Sequence, residues 1–509
     1  MKKTITLLTL TALLSCSPKQ KESSKRLPMD KPNIVVFYVD DLGYGDLASY
    51  GATGVKTPYV DRIATNGIRY TDAHSSAATC TPSRYSLLTG QHAFRNNAAI
   101  LPGDAPLLID QSTPTLPKML QKAGYKTAVV GKWHLGLGDG TVDWNTTVKP
   151  GPLEVGFDYS FLLPATGDRV PTVYVENHNV VNLSPNDSLF IDYKNAYPRE
   201  KNGISHPHLL RQAADKQHSN AIVNGISRIG HQTGGNSAHW VDEEFPDVFT
   251  EKAKSFMRKH QKSPFFLFFS FHDIHVPRLP NKRFEGSSSM GPRGDAIVQM
   301  DWMTGTIIEE IEKLGLDKNT LIIFTSDNGP VLNDGYEDQS EEMLGTHKPA
   351  GPFRGGKYSA FEAGTRVPMI SYWPGTIAPG ESAALMSQID YYASLSAMLN
   401  ISLDKNEAID SKNMLKPLLD ANEKGRDVLL EEAFSFSLRN NNLKYIAPKT
   451  KKWVPAWLDN KKIETGASKK PQLYDLHKDQ GEQVNIAKQH PKIVEKMQTQ
   501  LDSILSIGK

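Results

Sequence analysis

The stretch NIVVFYVDDLGYGD, residues 33–46, decides how the rest of the chain is read. An unbroken apolar run from Ile34 to Val39 stops abruptly at two acids, Asp40 and Asp41. A run of that length has no polar face, so it suits a strand covered on both sides, as in a parallel sheet. The same pattern recurs three times. KTAVVGKWHLG runs from Thr127 to Val130 and then gives Lys132 and His134; PFFLFFSFHDIHVP runs from Phe265 to Phe271 and then gives His272 and His275; TLIIFTSDNGP runs from Leu321 to Thr325 and then gives Asp327 and Asn328. Segments with helical spacing lie between the runs: TPYVDRIATNGIRY, STPTLPKMLQKAG and DWMTGTIIEEIEKLG, the last started by Asp301 or a neighbour and ended by Gly315. Alternating strands and helices predict an α/β sandwich. In open α/β sheets the ligand site lies beyond the carboxyl ends of the strands, and all four polar sets fall there.

Composition narrows the function classes. With 58 basic and 56 acidic residues the net charge is +2, which gives no basis for a nucleic-acid surface. The 509 residues, 39% of them apolar, can bury a large core, read as one large domain and a smaller one. The N-terminus carries Lys2 and Lys3, then ITLLTLTALL, then LLSC and the polar SPKQKESSKR, the pattern of a secretory signal. That apolar run is too short for a stable membrane span. Leu13, Leu14, Ser15 and Cys16 resemble the lipobox of bacterial lipoproteins, which implies a signal peptide at 1–15, a lipidated Cys16 and a tether at 16–30. An ordinary signal with an incidental cysteine is the alternative. The first reading makes the chain an exported lipoprotein, periplasmic or at the cell surface, meeting the membrane through its lipid alone. Cys80 is then the one remaining thiol, so no disulfide within the chain can form.

Two acids after one strand and Asp-Asn after another place four side-chain oxygens near one point if the strands are neighbours. Such a set suits a hard cation, Ca²⁺ or Mg²⁺. Either pair alone reads as a loop, a helix cap or a turn. In AATCTPSRYSLLTG, residues 77–90, Pro82 favours a first helical turn and Gly90 ends the helix. Cys80 then sits at a helix N-terminus, where free N–H groups and the dipole attract anions. Arg84, four residues on, adds a cationic fork.

CTPSRYSLLTG resembles the type I sulfatase signature Cys-x-Pro-Ser-Arg-x-x-x-Leu-Thr-Gly, matching at Cys80, Pro82, Ser83, Arg84, Leu88, Thr89 and Gly90. VDDLGYGD, GKWHLG, HVP, SDNGP, FRGGKYSAFEAGTRVP and QLYDLHKDQGE also resemble blocks of that family, in family order. The resemblance implies an alkaline phosphatase-like fold: a large, mostly parallel sheet sandwiched by helices over 31–425, and a smaller C-terminal subdomain on an antiparallel sheet over 426–509. It further implies that a formylglycine-generating or anaerobic sulfatase-maturing enzyme oxidises Cys80 to formylglycine, whose hydrate attacks sulfur. One Ca²⁺, in preference to Mg²⁺, falls on Asp40, Asp41, Asp327 and Asn328, with the residue-80 side chain completing the set. Arg84 belongs to the same centre.

His275 matches the family histidine that protonates the departing alcohol, and His134 the one that takes a proton so that sulfate is expelled. Lys132 and Lys357 match the lysines that bind sulfate oxygens. Glu362 and Arg366 resemble family positions and are read as holding the site together. His272, His347, Lys348 and Arg354 are expected substrate contacts. More than a hundred residues separate GKWHLG from FFLFFSF, and long insertions at the ligand end of a sheet tend to carry specificity. Asp168, Arg169, His178 and His208 are expected sugar contacts there. VLLEEAFSFSL, NNLKYIAP and PQLYDLHKD alternate as a small antiparallel sheet would, closed by the helix PKIVEKMQTQLDSIL. The expected activity is that of an exo-acting sulfuric ester hydrolase on sulfated glycans, with galactose or N-acetylgalactosamine sulfate favoured. Glucosamine and uronate sulfates stay open. The rivals are a phosphoester or phosphonate hydrolase of the same superfamily and a non-catalytic glycan-binding lipoprotein.

Overall fold

The structure, a computed structural model, describes residues 31–449, 455, 458, 461 and 463–507. The signal segment, Cys16 and the tether lie outside the described residues. Ten strands form one sheet: β1 (Asn33–Val39), β2 (Ile68–Tyr70), β3 (Lys126–Lys132), β4 (Tyr159–Leu163), β5 (Val175–Glu176), β6 (Asn179–Val180), β7 (Phe265–Ser270), β8 (Thr320–Ser326), β9 (Met369–Tyr372) and β10 (Gly380–Ser382). Their order is β10-β2-β9-β8-β1-β7-β3-β4-β5-β6. The four apolar runs are the adjacent strands β8, β1, β7 and β3, parallel throughout. Antiparallel pairs appear only outside β4 and β8.

Successive side chains leave a strand on opposite faces. Ile34, Val36 and Tyr38 join Val129, Phe266, Phe268, Leu321 and Ile323 in one buried cluster, under α2 (Cys80–Thr89), α3 (Leu116–Lys122) and α6 (Tyr391–Met398). Val35, Phe37 and Val39 join Val130, Leu267, Phe269, Ile322 and Phe324 in another, under α1 (Pro58–Asn66), α4 (Phe245–His260) and α5 (Gly291–Lys313). Both faces are therefore dry, which explains why the runs show no alternation.

One helix start differs from expectation. α5 begins at Gly291, and Asp301 lies in its middle. The Asp301 carboxylate instead accepts the backbone N–H groups of Val60 at 2.8 Å and Tyr59 at 3.2 Å, capping α1 across the interface. The capping chemistry is real but serves another helix.

The C-terminal part forms an antiparallel sheet in sequence order: β11 (Val428–Glu432), β12 (Phe436–Asn440), β13 (Leu443–Ile446) and β14 (Gln472–Asp475). Helix α7 (Pro491–Ser506) covers one face, with Met497 and Leu501 buried against Leu430, Leu438, Tyr445 and Leu473. Among the described residues no helix is long and apolar enough to cross a membrane.

Candidate active site

Strand register assembles the centre. Val39 of β1 pairs with Ser326 of β8, so Asp40 and Asp327 leave adjacent strand ends side by side. Both are fully buried, as are Asp41 and Asn328. The Asn328 amide donates to Asp41 Oδ1 at 2.7 Å, while Asn328 Oδ1 and Asp40 Oδ1 are buried without a hydrogen-bond partner among the described residues. Ligand atoms of Asp40, Asp327 and Cys80 lie within 4.8 Å of one another, and so do those of Asp40, Asp41 and His275. Burial and the Asp327 charge push the Asp40 carboxyl well above the usual carboxylate range, against the pull of Lys132 and Arg84. Burial also raises Asp41, with Lys357 opposing. Unpaired buried oxygens and repelling carboxylates are costly without a cation between them, so the residues fit a hard divalent ion.

Cys80 opens α2, with Thr79 extended before it and Gly90 closing the helix at φ +65°. The thiol is 2% exposed, and burial raises its pKa even though Lys132 and Lys357 pull it down. Reactive thiols sit where their pKa is lowered. This one has the address of an anion site and the titration of an inert group. Arg84 donates to Asp327 Oδ2 at 2.6 Å and to Ser270 Oγ, fixing that carboxylate from behind. Lys132 bonds Asp40, and Lys357 Nζ donates to Asp41 Oδ2 at 2.9 Å.

The histidine tautomers follow from their partners. A carbonyl only accepts, so the 2.9 Å contact of His134 Nε2 with the Leu101 carbonyl puts the proton on Nε2. Nδ1, buried with no hydrogen-bond partner among the described residues, is left as the lone-pair atom. His275 Nδ1 likewise donates to the Val276 carbonyl at 2.7 Å, leaving Nε2 as the atom that exchanges a proton, 3.8 Å from Asp41 Oδ2. Burial, then nearby cations, hold both rings neutral without a bound anion.

A cavity of about 490 Å³ opens over this centre. Cys80, His275, Lys357, Asp168 and Arg169 line it, so the insertion does deliver the two expected residues. His272 stands edge-on to Phe245 behind His275, its ring pushed down to about 3 by burial, and is a supporting group. The other expected contacts are placed elsewhere. His347 is 4% exposed and bonds Asp46 Oδ1 at 2.8 Å, in a knot completed by Arg293. Arg354 pairs with Glu464 at 3.0 Å and with the Glu482 carbonyl at 2.6 Å. His178 pairs with Glu154 at 2.9 Å, and neither it nor His208 nor Lys348 lines the cavity. His347, Arg354 and His178 are held by nearer acids, and His208 and Lys348 are exposed away from the cavity lining.

Sequence reasoning missed Tyr193, Gln217, His218, Asp334, Tyr358 and Lys461, which also line the cavity. His218 is held between Asp215 Oδ1 at 2.7 Å and Asp168 Oδ2 at 3.4 Å. Burial works to lower it, and the two carboxylates outweigh that and raise it. Only Tyr358, beside Lys357, carried a signal in the chain.

Fold and centre together define a hydrolase of anionic esters: an α/β sandwich whose strand ends join a cation-binding acid set to a helix N-terminus and two lysines. The Sulfatase family model matches residues 32–401, and the chain belongs to the sulfatase family and is a sulfuric ester hydrolase. It is 46% identical over 500 residues to an N-acetylgalactosamine-6-O-sulfatase of Bacteroides thetaiotaomicron, covering 97% of each chain. It is 31% identical to human arylsulfatase H over 77% of this chain and 72% of that one. A solved structure from work on the metabolism of multiple glycosaminoglycans by Bacteroides thetaiotaomicron superposes with a TM-score of 0.91 at 46% identity, over 93% of this chain and 99% of the other.

Proposed function

We propose that this chain is an exo-acting carbohydrate sulfatase that removes the 6-O-sulfate of N-acetylgalactosamine, acting as an exported bacterial lipoprotein anchored through Cys16. The observation that carries the reading is the meeting of Cys80, Lys357, His275 and the insertion residues Asp168 and Arg169 on one cavity. The 46% identity to a named N-acetylgalactosamine-6-O-sulfatase supports the choice of sugar.

One divalent ion, Ca²⁺ before Mg²⁺, would be held by Asp40, Asp41, Asp327 and Asn328, where it would neutralise charge and act as a Lewis acid. Formylglycine made from Cys80 by a maturation enzyme supplies, once hydrated, the oxygen nucleophile that a buried, protonated thiol does not. The remaining chemistry belongs to side chains already in place. Lys132 and Lys357 attract sulfate oxygens as compact point charges. Arg84 holds Asp327 ionised: burial raises that carboxyl, and Arg84, Lys132 and Lys357 outweigh it. His275 presents Nε2 to the cavity and delivers the proton an alkoxide needs to leave, an ester's negative charge working against the burial and the lysines that otherwise keep the ring neutral. His134 Nδ1, with its lone pair free, accepts a proton when sulfate departs. Asp168 and Arg169, paired at 2.7 Å, offer an acceptor and a donor to sugar hydroxyls.

Phosphoester hydrolysis is not favoured, since the relatives named above are sulfatases. The test uses protein made with its maturation enzyme. The tryptic peptide YTDAHSSAATCTPSR, residues 70–84, should show the mass loss of thiol-to-aldehyde conversion. That protein should release sulfate from N-acetylgalactosamine-6-sulfate in preference to its 4-sulfate and to glucosamine-6-sulfate. Preference for the glucosamine ester would overturn the sugar. Binding without turnover by converted protein would favour the glycan-binding lipoprotein, and faster cleavage of phosphate esters the phosphohydrolase.

A further inference from the structure

We propose that Asp334 is the positioning residue that aims Lys357 at the sulfate, with Lys461, from the segment after β13, as the counter-charge that keeps the aimed lysine attractive to an anion. The proposal rests on the sulfatase reading and deepens it. Neither residue lies in a block that resembles the family signature.

An ammonium has three N–H donors. Lys357 Nζ spends one on Asp41 Oδ2 at 2.9 Å and one on Asp334 Oδ2 at 3.0 Å, and the side chain lines the cavity, so a third remains for a ligand. A lysine stem is long and rich in rotamers, and one contact would leave the charge free to sweep. Asp41 is a poor sole anchor because it also belongs to the cation-binding set. Asp334 is the anchor outside that set, and it is 5% exposed.

A carboxylate beside Lys357 would, by itself, cancel the field that draws sulfate in. The structure offsets it. Lys461 Nζ lies 3.2 Å from Asp334 Oδ1, and the Tyr358 hydroxyl lies 3.2 Å from Oδ2. Burial raises Asp334, yet Lys357 and Lys461 outweigh burial and hold it well below the usual carboxylate range. Two ammonium groups thus bracket Asp334, each also facing a second carboxylate, Lys357 that of Asp41 and Lys461 that of Asp215 at 3.5 Å, and the C-terminal part of the chain contributes to the charge of the sulfate pocket.

Sulfate is common to all substrates, which separates this role from sugar recognition. In converted enzyme, Asp334→Ala should lower kcat/KM by roughly 10- to 100-fold, the worth of one hydrogen bond to a charged group. The loss should be equal for 4-methylumbelliferyl sulfate and N-acetylgalactosamine-6-sulfate, with the Ki of inorganic sulfate rising in parallel. Asp334→Asn, whose amide oxygen still accepts from Lys357, should recover part of the loss, and Lys461→Met should shift both substrates in the same direction by less. A loss confined to the sugar ester would make Asp334 a sugar ligand and overturn the proposal, as would an unchanged sulfate Ki. If Asp334→Ala fails to fold, the sulfate Ki of Asp334→Asn decides by the same criterion. Wild-type enzyme that hydrolyses neither ester would instead sink the sulfatase reading, and calorimetric binding of inorganic sulfate to wild type and variant would still test the role of Asp334.

Discussion

Cys80 is buried at the head of a helix with its thiol held up by burial, so the proposed conversion to formylglycine can be tested at this one side chain. Cys80→Ser is a near-isosteric swap in a packed site, so its melting temperature should stay within a few degrees of wild type. Its sulfatase turnover should fall by on the order of 10³-fold or more, because a serine offers no aldehyde hydrate. Near-normal turnover by the serine variant would remove formylglycine from the mechanism. Asp168 makes a different prediction. It pairs with Arg169 at 2.7 Å and faces the cavity, so Asp168→Ala should raise KM for a sugar sulfate by roughly 10-fold, the worth of one charge-assisted hydrogen bond. KM for an aryl sulfate should stay put, and equal effects on both would end its assignment to the sugar. The acids of the centre were legible as polar residues at the ends of apolar runs and Cys80 at a helix start, whereas the lysines and histidines took their roles only from resemblance to family blocks. Asp334 and His218 were not legible, since NDGY and AADKQHSN look like ordinary turn and loop sequence. Their roles arise only when separate loops close over one cavity. His347 and Arg354 show the opposite case: loop side chains near a signature block, held by Asp46 and by Glu464.

At the scale of elements, apolar runs ending in polar residues proved a dependable guide because β8, β1, β7 and β3 are covered on both faces and adjacent in the sheet. Helix limits were less legible: the acid read as starting α5 caps α1 instead, a partnership no local pattern encodes. The exit of β3 is a tightly constrained joint. Gly131 has φ +110°, and a Cβ there would lie 1.9 Å from the Ser270 carbonyl oxygen on β7. Ser270 Oγ in turn donates to the Lys132 carbonyl at 2.7 Å and accepts from Arg84. Gly131→Ala therefore strains the backbone and pries β3 from β7 at the point that aims Lys132 and His134. Urea unfolding should show a loss of about 1–3 kcal/mol or more, and the residual folded enzyme should have lower kcat. A variant as stable and as active as wild type would show that the joint is slack.

Across the whole molecule, the C-terminal sheet is fastened to the catalytic part by a buried ionic network. Arg439 on β12 bonds Glu362 and reaches Asp72 Oδ2 at 3.1 Å, while Lys444 on β13 joins Glu362 Oε2 at 3.2 Å to Glu431 of β11. Arg366 meets Glu362 at 3.0 Å, and the His74 ring sits between Asp72 and Glu431, each 2.9 Å away. Removing one partner of a buried pair strands the other, so Arg439→Ala should cost about 3–5 kcal/mol in chemical denaturation. The network also sets a pH window. Burial raises Glu431 and Glu362, but Lys444 for the first and Arg439 for the second outweigh it and leave both lowered, so their stabilisation is present above the unfolded value of about 4.3 and is lost as pH falls through the folded ones. His74 goes the other way: burial lowers it, Asp72 and Glu431 raise it, and its share is present below about 6.5 and lost as pH rises through the raised value. Glu482 is the odd member. Its Oε2 accepts the Glu362 N–H at 2.6 Å, its Oε1 has no hydrogen-bond partner among the described residues, and burial pushes the carboxyl up to about 8. A raised acid stabilises the folded chain fully below its unfolded value and stops doing so as pH climbs through about 8. The melting temperature of wild type should therefore fall at both ends of a scan from acid to mildly alkaline pH. Glu482→Gln, which cannot ionise, should flatten the decline on the alkaline side, leaving the share of His74 and an unchanged acid limb. Parallel alkaline slopes in wild type and Glu482→Gln would mean that Glu482 is ionised in the folded protein and that the network holds its charge.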